Sequence, residues 1–104
     1  MLKSAEFRRI YESGTRFTSP YFSAHVLAET GQQGPKIGFT VSRAAGGSVV
    51  RNRLRRRLRE AVRLHLGRLA PRWRVVVNPR RAVLRAGFPD LEREVERLFH
   101  RCEN

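Results

Sequence analysis

This chain of 104 residues is poor in several things. It has one cysteine (Cys102), two lysines, nine acidic residues, and no apolar run longer than three, as in Val75-Val76-Val77. A lone cysteine excludes an intramolecular disulfide, a cysteine-rich zinc site and a CxxC redox pair. It fits a reducing, cytoplasmic compartment. Runs of three fall far below the roughly 20 residues of a membrane helix or the roughly 7–15 of a secretory signal. At this length there is one hydrophobic core and no room for a cofactor domain beside a substrate domain. Residues 1–104 therefore read as a single domain with no membrane span. A hydrophobic content of 40% excludes a disordered tail.

What is abundant is arginine. Basic residues number 22, of which 20 are arginine, and the net charge is +13. The excess is concentrated. Residues 43–87 hold fourteen arginines and a single acid, Glu60, whereas residues 88–104 hold three arginines against five acids. Guanidinium groups meet phosphate through a planar fork and stack on bases. Such a charge field implies a polyanionic partner, with nucleic acid foremost.

Periodicity supplies the elements. Residues 3–13 read as a helix with Phe7, Ile10 and Tyr11 on one side and Gly14 past its end. In residues 21–29, Phe22, Ala24 and Val26 alternate with Ser23, His25 and Leu27, a strand pattern. Residues 36–42 repeat that alternation with Ile37, Phe39 and Val41. Residues 45–48 read as a loop. From Val49 to Leu69 the spacing becomes helical, and Leu54, Leu58, Ala61, Val62, Leu66 and Leu69 form one stripe. Residues 73–77 read as a strand whose valine triplet suits a position covered on both faces, with Pro79 breaking it. A last helix begins at Pro89-Asp90 with Leu91, Val95, Leu98, Phe99 and Cys102 inward. Residues 15–19 suit an edge strand. The order helix, strand, strand, helix, strand, helix is that of an α+β protein, a two-layer α/β sandwich.

The segment from Arg51 to Arg63 places seven arginines in thirteen residues. Arg53, Arg56, Arg59 and Arg63 fall opposite the leucine stripe, with Arg55 and Arg57 on its flanks. Six Arg–Arg pairs lie three or four apart, and each destabilises a helix by roughly 0.2–0.5 kcal/mol. The total is about 1–3 kcal/mol, with only Glu60 for local relief. Solvated charge runs usually mix signs; this one does not, so phosphates are its natural counter-charge. Phe7 and Tyr11 suit either the core or base stacking beside a basic track. By pattern alone His25 is an ordinary half-exposed histidine. His65 and His100 have no ligand-like neighbours in sequence, and Phe22, Phe39, Trp73 and Phe99 read as core.

Gly38-Phe39-Thr40-Val41-Ser42-Arg43, then Gly46-Gly47-Ser48-Val49-Val50-Arg51-Asn52-Arg53 and the arginine helix, resemble the bacterial ribonuclease P protein family. That family carries a G-L-S-V-S-K-K strand, a G-N-A-V turn and an R-N-R motif opening a helix. Phe7 to Gly14 is similar to its N-terminal F-x-x-V-F-x-x-G. Ala44, Gly47 and Ser48 depart from the usual basic residue, Asn and Ala. The resemblance implies an α/β sandwich with a left-handed crossover around the R-N-R helix. It also implies an RNA-binding subunit of a ribonucleoprotein endonuclease, a hydrolase of tRNA processing. On that resemblance, catalytic RNA, Mg²⁺ and water would cleave the bond 5′ to mature tRNA, and no catalytic residue, metal site or small-molecule cofactor would belong to the protein. Arg43, Arg51, Asn52, Arg53, Arg55, Arg56 and Arg59 would meet the catalytic RNA. Phe7, Tyr11 and His25 would face the 5′ leader of precursor tRNA in a cleft between sheet and first helix. A structural RNA-binding protein, a protein-only nuclease and a DNA-binding helix protein are the rival readings. The nuclease needs clustered carboxylates or a histidine-centred acid–base pair, and residues 43–87 offer only Glu60.

Overall fold

In the computed structural model, residues 4–29 and 34–103 are described. Helix α1 spans Ser4–Ser13. Strands β1 (Thr15–Thr18) and β2 (Phe22–Ala28) follow it, and then β3 (Lys36–Phe39). Helix α2 spans Ser48–His65, β4 Trp73–Pro79 and α3 Phe88–Glu103. Short 3-10 turns at Arg43–Ala45, Leu66–Arg68 and Arg81–Arg85 link them. The sheet order is β1-β2-β4-β3. β2 runs antiparallel to both β1 and β4, while β3 and β4 are parallel, with Ile37 opposite Val75. A parallel pair needs a crossover connection, and α2 is that crossover.

Alternation along the strands decides the layers. Phe22, Ala24, Val26, Val75 and Val77 point to one face and are buried with Leu54, Leu58, Ala61 and Val62 of α2. Leu91, Val95, Leu98, Phe99 and Cys102 of α3 complete this core. Each fully buried Leu, Val or Phe there contributes roughly 1.5–3 kcal/mol of apolar transfer. Val76 points the other way, against Ile10 of α1, with Phe7 and Leu27 at the margin. The valine triplet is thus covered on both faces, and all three side chains are at most 1% exposed. One short helix covers only part of this second face, and Tyr11 and His25 stay partly exposed there.

Gly14 makes the exit from α1 possible. A Cβ there would lie 2.5 Å from the Ile10 carbonyl oxygen and 2.7 Å from that of Val26. The edge strand at residues 15–19 is present as β1. Three element ends differ from expectation. β3 stops at Phe39 rather than residue 42. Thr40 N–H still donates to the Val77 carbonyl at 3.0 Å, but the next parallel rung requires an N–H at Pro79, which has none. Pro79 does not break β4; it is the last residue of that strand, opposite Phe22. α2 ends at His65 rather than Leu69, because the Gly67 segment tightens into a 3-10 turn closed by Leu69 N–H to the Leu66 carbonyl at 3.0 Å.

Candidate nucleic-acid interface

The leucine stripe docks α2 on the sheet, and this fixes where its arginines go. Arg53, Arg56, Arg59 and Arg63 are exposed, whereas Arg51, Arg55 and Arg57 are half-buried on the flanks. The first turn of α2 holds no acid, and its N-cap, Gly47, makes no side-chain cap. Arg51 and Arg53 therefore stand at the positive end of the helix dipole, where cations are disfavoured and anions favoured. Arg43 is exposed on the turn before α2, in a 3-10 segment capped by Ser42 Oγ, which accepts from Ala44 N–H at 3.1 Å.

Not every arginine of the helix is free. Arg63 pairs with Glu60, which holds the Glu60 carboxyl below its usual range through that hydrogen bond. Arg55 donates to Asn52 Oδ1 at 2.7 Å. The Arg59 guanidinium lies over the Phe39 ring, 5.7 Å from its centre. Arg57 turns inward: its Nε donates to the Val83 carbonyl at 3.1 Å and its Nη2 to the Ala86 carbonyl. Arg53 and Arg56 make no ion pair among the described residues.

On the second face of the sheet, the rings of Tyr11 and His25 meet edge-on, with centroids 4.7 Å apart. Burial, then the charge of Arg16, lowers the His25 pKa, and its Nδ1 is buried without a hydrogen-bond partner. Tyr11 is 39% exposed. Its hydroxyl lies 2.9 Å from Thr40 Oγ1 and accepts from Asn78 Nδ2 at 2.9 Å. Asn78 also donates to the Thr40 hydroxyl and, at 3.4 Å, to the carbonyl that Pro79 cannot serve. Phe7 is half-buried beside Ile10 and Val76. It lines a groove of about 800 Å³ along the free edge of β3, together with Lys36, Gly38, Arg55, Arg59 and Arg63.

The structure thus joins Phe7 to Arg55 and Arg59 in one groove, and Tyr11 to His25 a helical turn further along α1. Arg53 and Arg56 look out on the opposite flank of α2, in a second groove, and Arg43 lines neither. Thr40 and Asn78, which bond the Tyr11 hydroxyl, were not anticipated beside it. Their signal was available: Asn78 shares the parity of Val76, hence the α1 face. Arg74 was missed as structural. It is 6% exposed, and its Nη1 donates to the carbonyls of Gly34, Pro71 and Trp73. Among the described residues, no group of three or more His, Cys, Asp or Glu is placed to hold a metal ion. No helix among them is long and apolar enough to cross a membrane.

Comparison with known proteins agrees with this architecture. Residues 1–103 match the family model described as Ribonuclease P. A ribonuclease P protein component from Symbiobacterium thermophilum is 40% identical over 96 residues, covering 92% of this chain and 84% of that protein. One from Acidothermus cellulolyticus is 38% identical over 100 residues, covering 95% and 83%. The RNase P protein structure from Thermotoga maritima superposes with a TM-score of 0.84 at 25% identity, over 96% of this chain and 94% of that one. The Staphylococcus aureus structure gives 0.78 at 23% identity, over 93% and 88%. With its three helices, mixed four-stranded sheet and arginine helix, the chain belongs to the ribonuclease P protein family, the protein component of the ribonucleoprotein that processes the 5′ leader of precursor tRNA.

Proposed function

We propose that two adjoining surfaces, which meet in the groove that Phe7 shares with Arg55 and Arg59, divide the work. The outer face of α2 and the turn before it, through Arg43, Arg51, Asn52, Arg53, Arg55, Arg56 and Arg59, bind the ribonuclease P RNA. The cleft between α1 and the sheet, with Phe7, Tyr11 and His25, holds the single-stranded 5′ leader of precursor tRNA. The observation that carries the reading is the run of exposed arginines on α2 with a single carboxylate among them, a face whose self-repulsion phosphates relieve. The leader reading rests on aromatic rings beside a basic groove, the arrangement that holds single strands by stacking and backbone charge. Thr40 and Asn78 add hydrogen-bonding groups at the cleft floor.

In this reading Mg²⁺ acts with the RNA, whose phosphate oxygens are the hard donors it prefers. The hydrolysis of the bond 5′ to mature tRNA proceeds on the RNA subunit. The protein's part is to hold the leader and neutralise phosphate charge. Reconstitution tests this. Added to a bacterial ribonuclease P RNA at low Mg²⁺, the chain restores cleavage of precursor tRNA at the mature 5′ end. The protein alone, free of RNA, leaves the substrate intact. Specific cleavage by the protein alone contradicts the reading.

A further inference from the structure

The groove on the far flank of α2 belongs neither to the leader cleft nor to the sheet edge. It has a volume of about 510 Å³ and is lined by Arg53, Arg56, Arg57, Glu60, Leu84 and Phe88. That volume falls within the roughly 300–1,000 Å³ of small-molecule sites. Its two walls differ in chemistry. The α2 wall is cationic, because the Glu60 carboxylate is held by Arg63 while Arg53 and Arg56 carry no ion pair among the described residues. The opposite wall is apolar: Leu84 is 37% exposed, and Phe88 is half-buried at the start of α3.

The walls are tied together. Arg57 reaches across to the carbonyls of Val83 and Ala86, which fixes the Arg81–Arg85 turn against α2. Arg81 and Arg85 of that turn are exposed, and residues 61–89 contain no acid. An apolar slot beside unpaired guanidinium groups matches a nucleotide, with its flat base and anionic phosphate.

We propose that this groove is an RNA subsite that takes one unstacked nucleotide of the ribonuclease P RNA. Its base lies against Leu84 and Phe88 and its phosphate at Arg53 and Arg56. Arg57 is the positioning residue that holds the groove open. The inference rests on the reading that α2 binds the RNA subunit, and it names where on that face a base is gripped. The occupant is the RNA subunit rather than the leader, because α2 itself separates this groove from the cleft that holds Phe7.

The test compares the affinity of the full-length protein and its variants for folded ribonuclease P RNA, with circular dichroism melting of each variant. Leu84→Glu and Phe88→Leu, which keeps an apolar side chain in the core margin, should each weaken binding, the former about 5- to 150-fold. The preference of the assembled holoenzyme for precursor over mature tRNA should stay unchanged. If folded Leu84→Glu and Phe88→Leu bind within twofold of the unmodified chain while Arg53→Ala weakens binding, the subsite is refuted and the basic face stands. If Arg53→Ala also binds normally, the basic face falls and the subsite with it. A change in the precursor preference would assign the groove to the leader and overturn the proposal.

A second measurement does not depend on how well those variants fold. Leu84→Cys adds a surface thiol to a chain whose own Cys102 is buried, its pKa pushed up to about 11 by burial. A hydroxyl-radical source tethered at position 84 should cut the RNA subunit at one short unpaired segment. Diffuse cleavage, or none, overturns the subsite.

Discussion

Helices α2 and α3 lie side by side on the same face of the sheet, yet their charges are arranged in opposite ways. Each buries one apolar stripe. On α3, Arg93 pairs with Asp90 and Arg97 with Glu94, each three residues earlier. Glu92 and Glu96 reach to His65 at the end of α2, and Glu96 also to Arg68 in the turn that follows. On α2, Glu60 is the only acid, and its one arginine partner is Arg63. The same fold position can therefore carry a face that satisfies its own charges or one that leaves them for another molecule. Surface pairs of the first kind contribute roughly 0–1 kcal/mol. Unpaired arginines of the second kind, Arg53 and Arg56, repel their like-charged neighbours, and in the proposed reading RNA phosphates relieve that repulsion.

The largest effect should come from reversing the unpaired charges. Arg53→Glu combined with Arg56→Glu should lower affinity for the RNA subunit by about 100-fold or more, since each lost charged contact is worth roughly 1.5–3 kcal/mol. The same double reversal at Arg93 and Arg97 should change it far less. Equal losses measured by filter binding would erase the distinction between the two helices.

Next in size is the cleft. Tyr11→Ala should weaken binding of leader-bearing precursor tRNA to the holoenzyme about 5- to 150-fold. Binding of mature tRNA and of the RNA subunit should persist. Tyr11→Phe keeps the ring and loses only the hydroxyl shared with Thr40 and Asn78, so it should cost less. Equal loss for precursor and mature tRNA in a folded variant counts against a leader cleft.

Within α2 the contrast recurs on a smaller scale. Arg57→Ala strips a donor from the Val83 and Ala86 carbonyls and should destabilise the fold by about 1–3 kcal/mol. Arg53→Ala removes two like-charge neighbours and should leave stability unchanged or raise it slightly. Thermal melting that ranks them the other way would refute the inward role of Arg57. The smallest effect concerns His25. Its folded pKa is lowered, so between that value and the usual 6.5 the unfolded chain binds more protons. Its contribution to stability is thus complete above pH 6.5 and is lost as pH falls toward the folded pKa. His25→Gln should flatten that part of the pH–stability curve.

Sequence periodicity was enough to find both long helices, the inward face of each and the doubly covered valine strand, because burial patterns repeat at 3.6 or 2 residues. The exposed face of α2 followed from the same geometry. What the pattern could not supply were contacts between distant segments. Arg57 reads as one more cation in the run, and only the docking of residues 81–86 against α2 turns it into a carbonyl clamp. Strand parity puts Asn78 on the α1 face, but only the register of β3 against β4 brings its amide to the Thr40 carbonyl that Pro79 cannot serve. The Arg74 side chain donates to the Gly34 carbonyl, forty residues away, a contact that no local spacing predicts.

The central claim, that α2 leaves its charges for RNA phosphates, is tested most directly by the salt dependence of binding to the RNA subunit. With five or six arginines on phosphates, log K against log[salt] should fall with a slope of about −4 to −5, and Arg53→Ala or Arg56→Ala should each make it shallower by about one. Arg93→Ala on α3 should leave the slope unchanged. A slope near zero, or equal changes from both helices, would contradict the account.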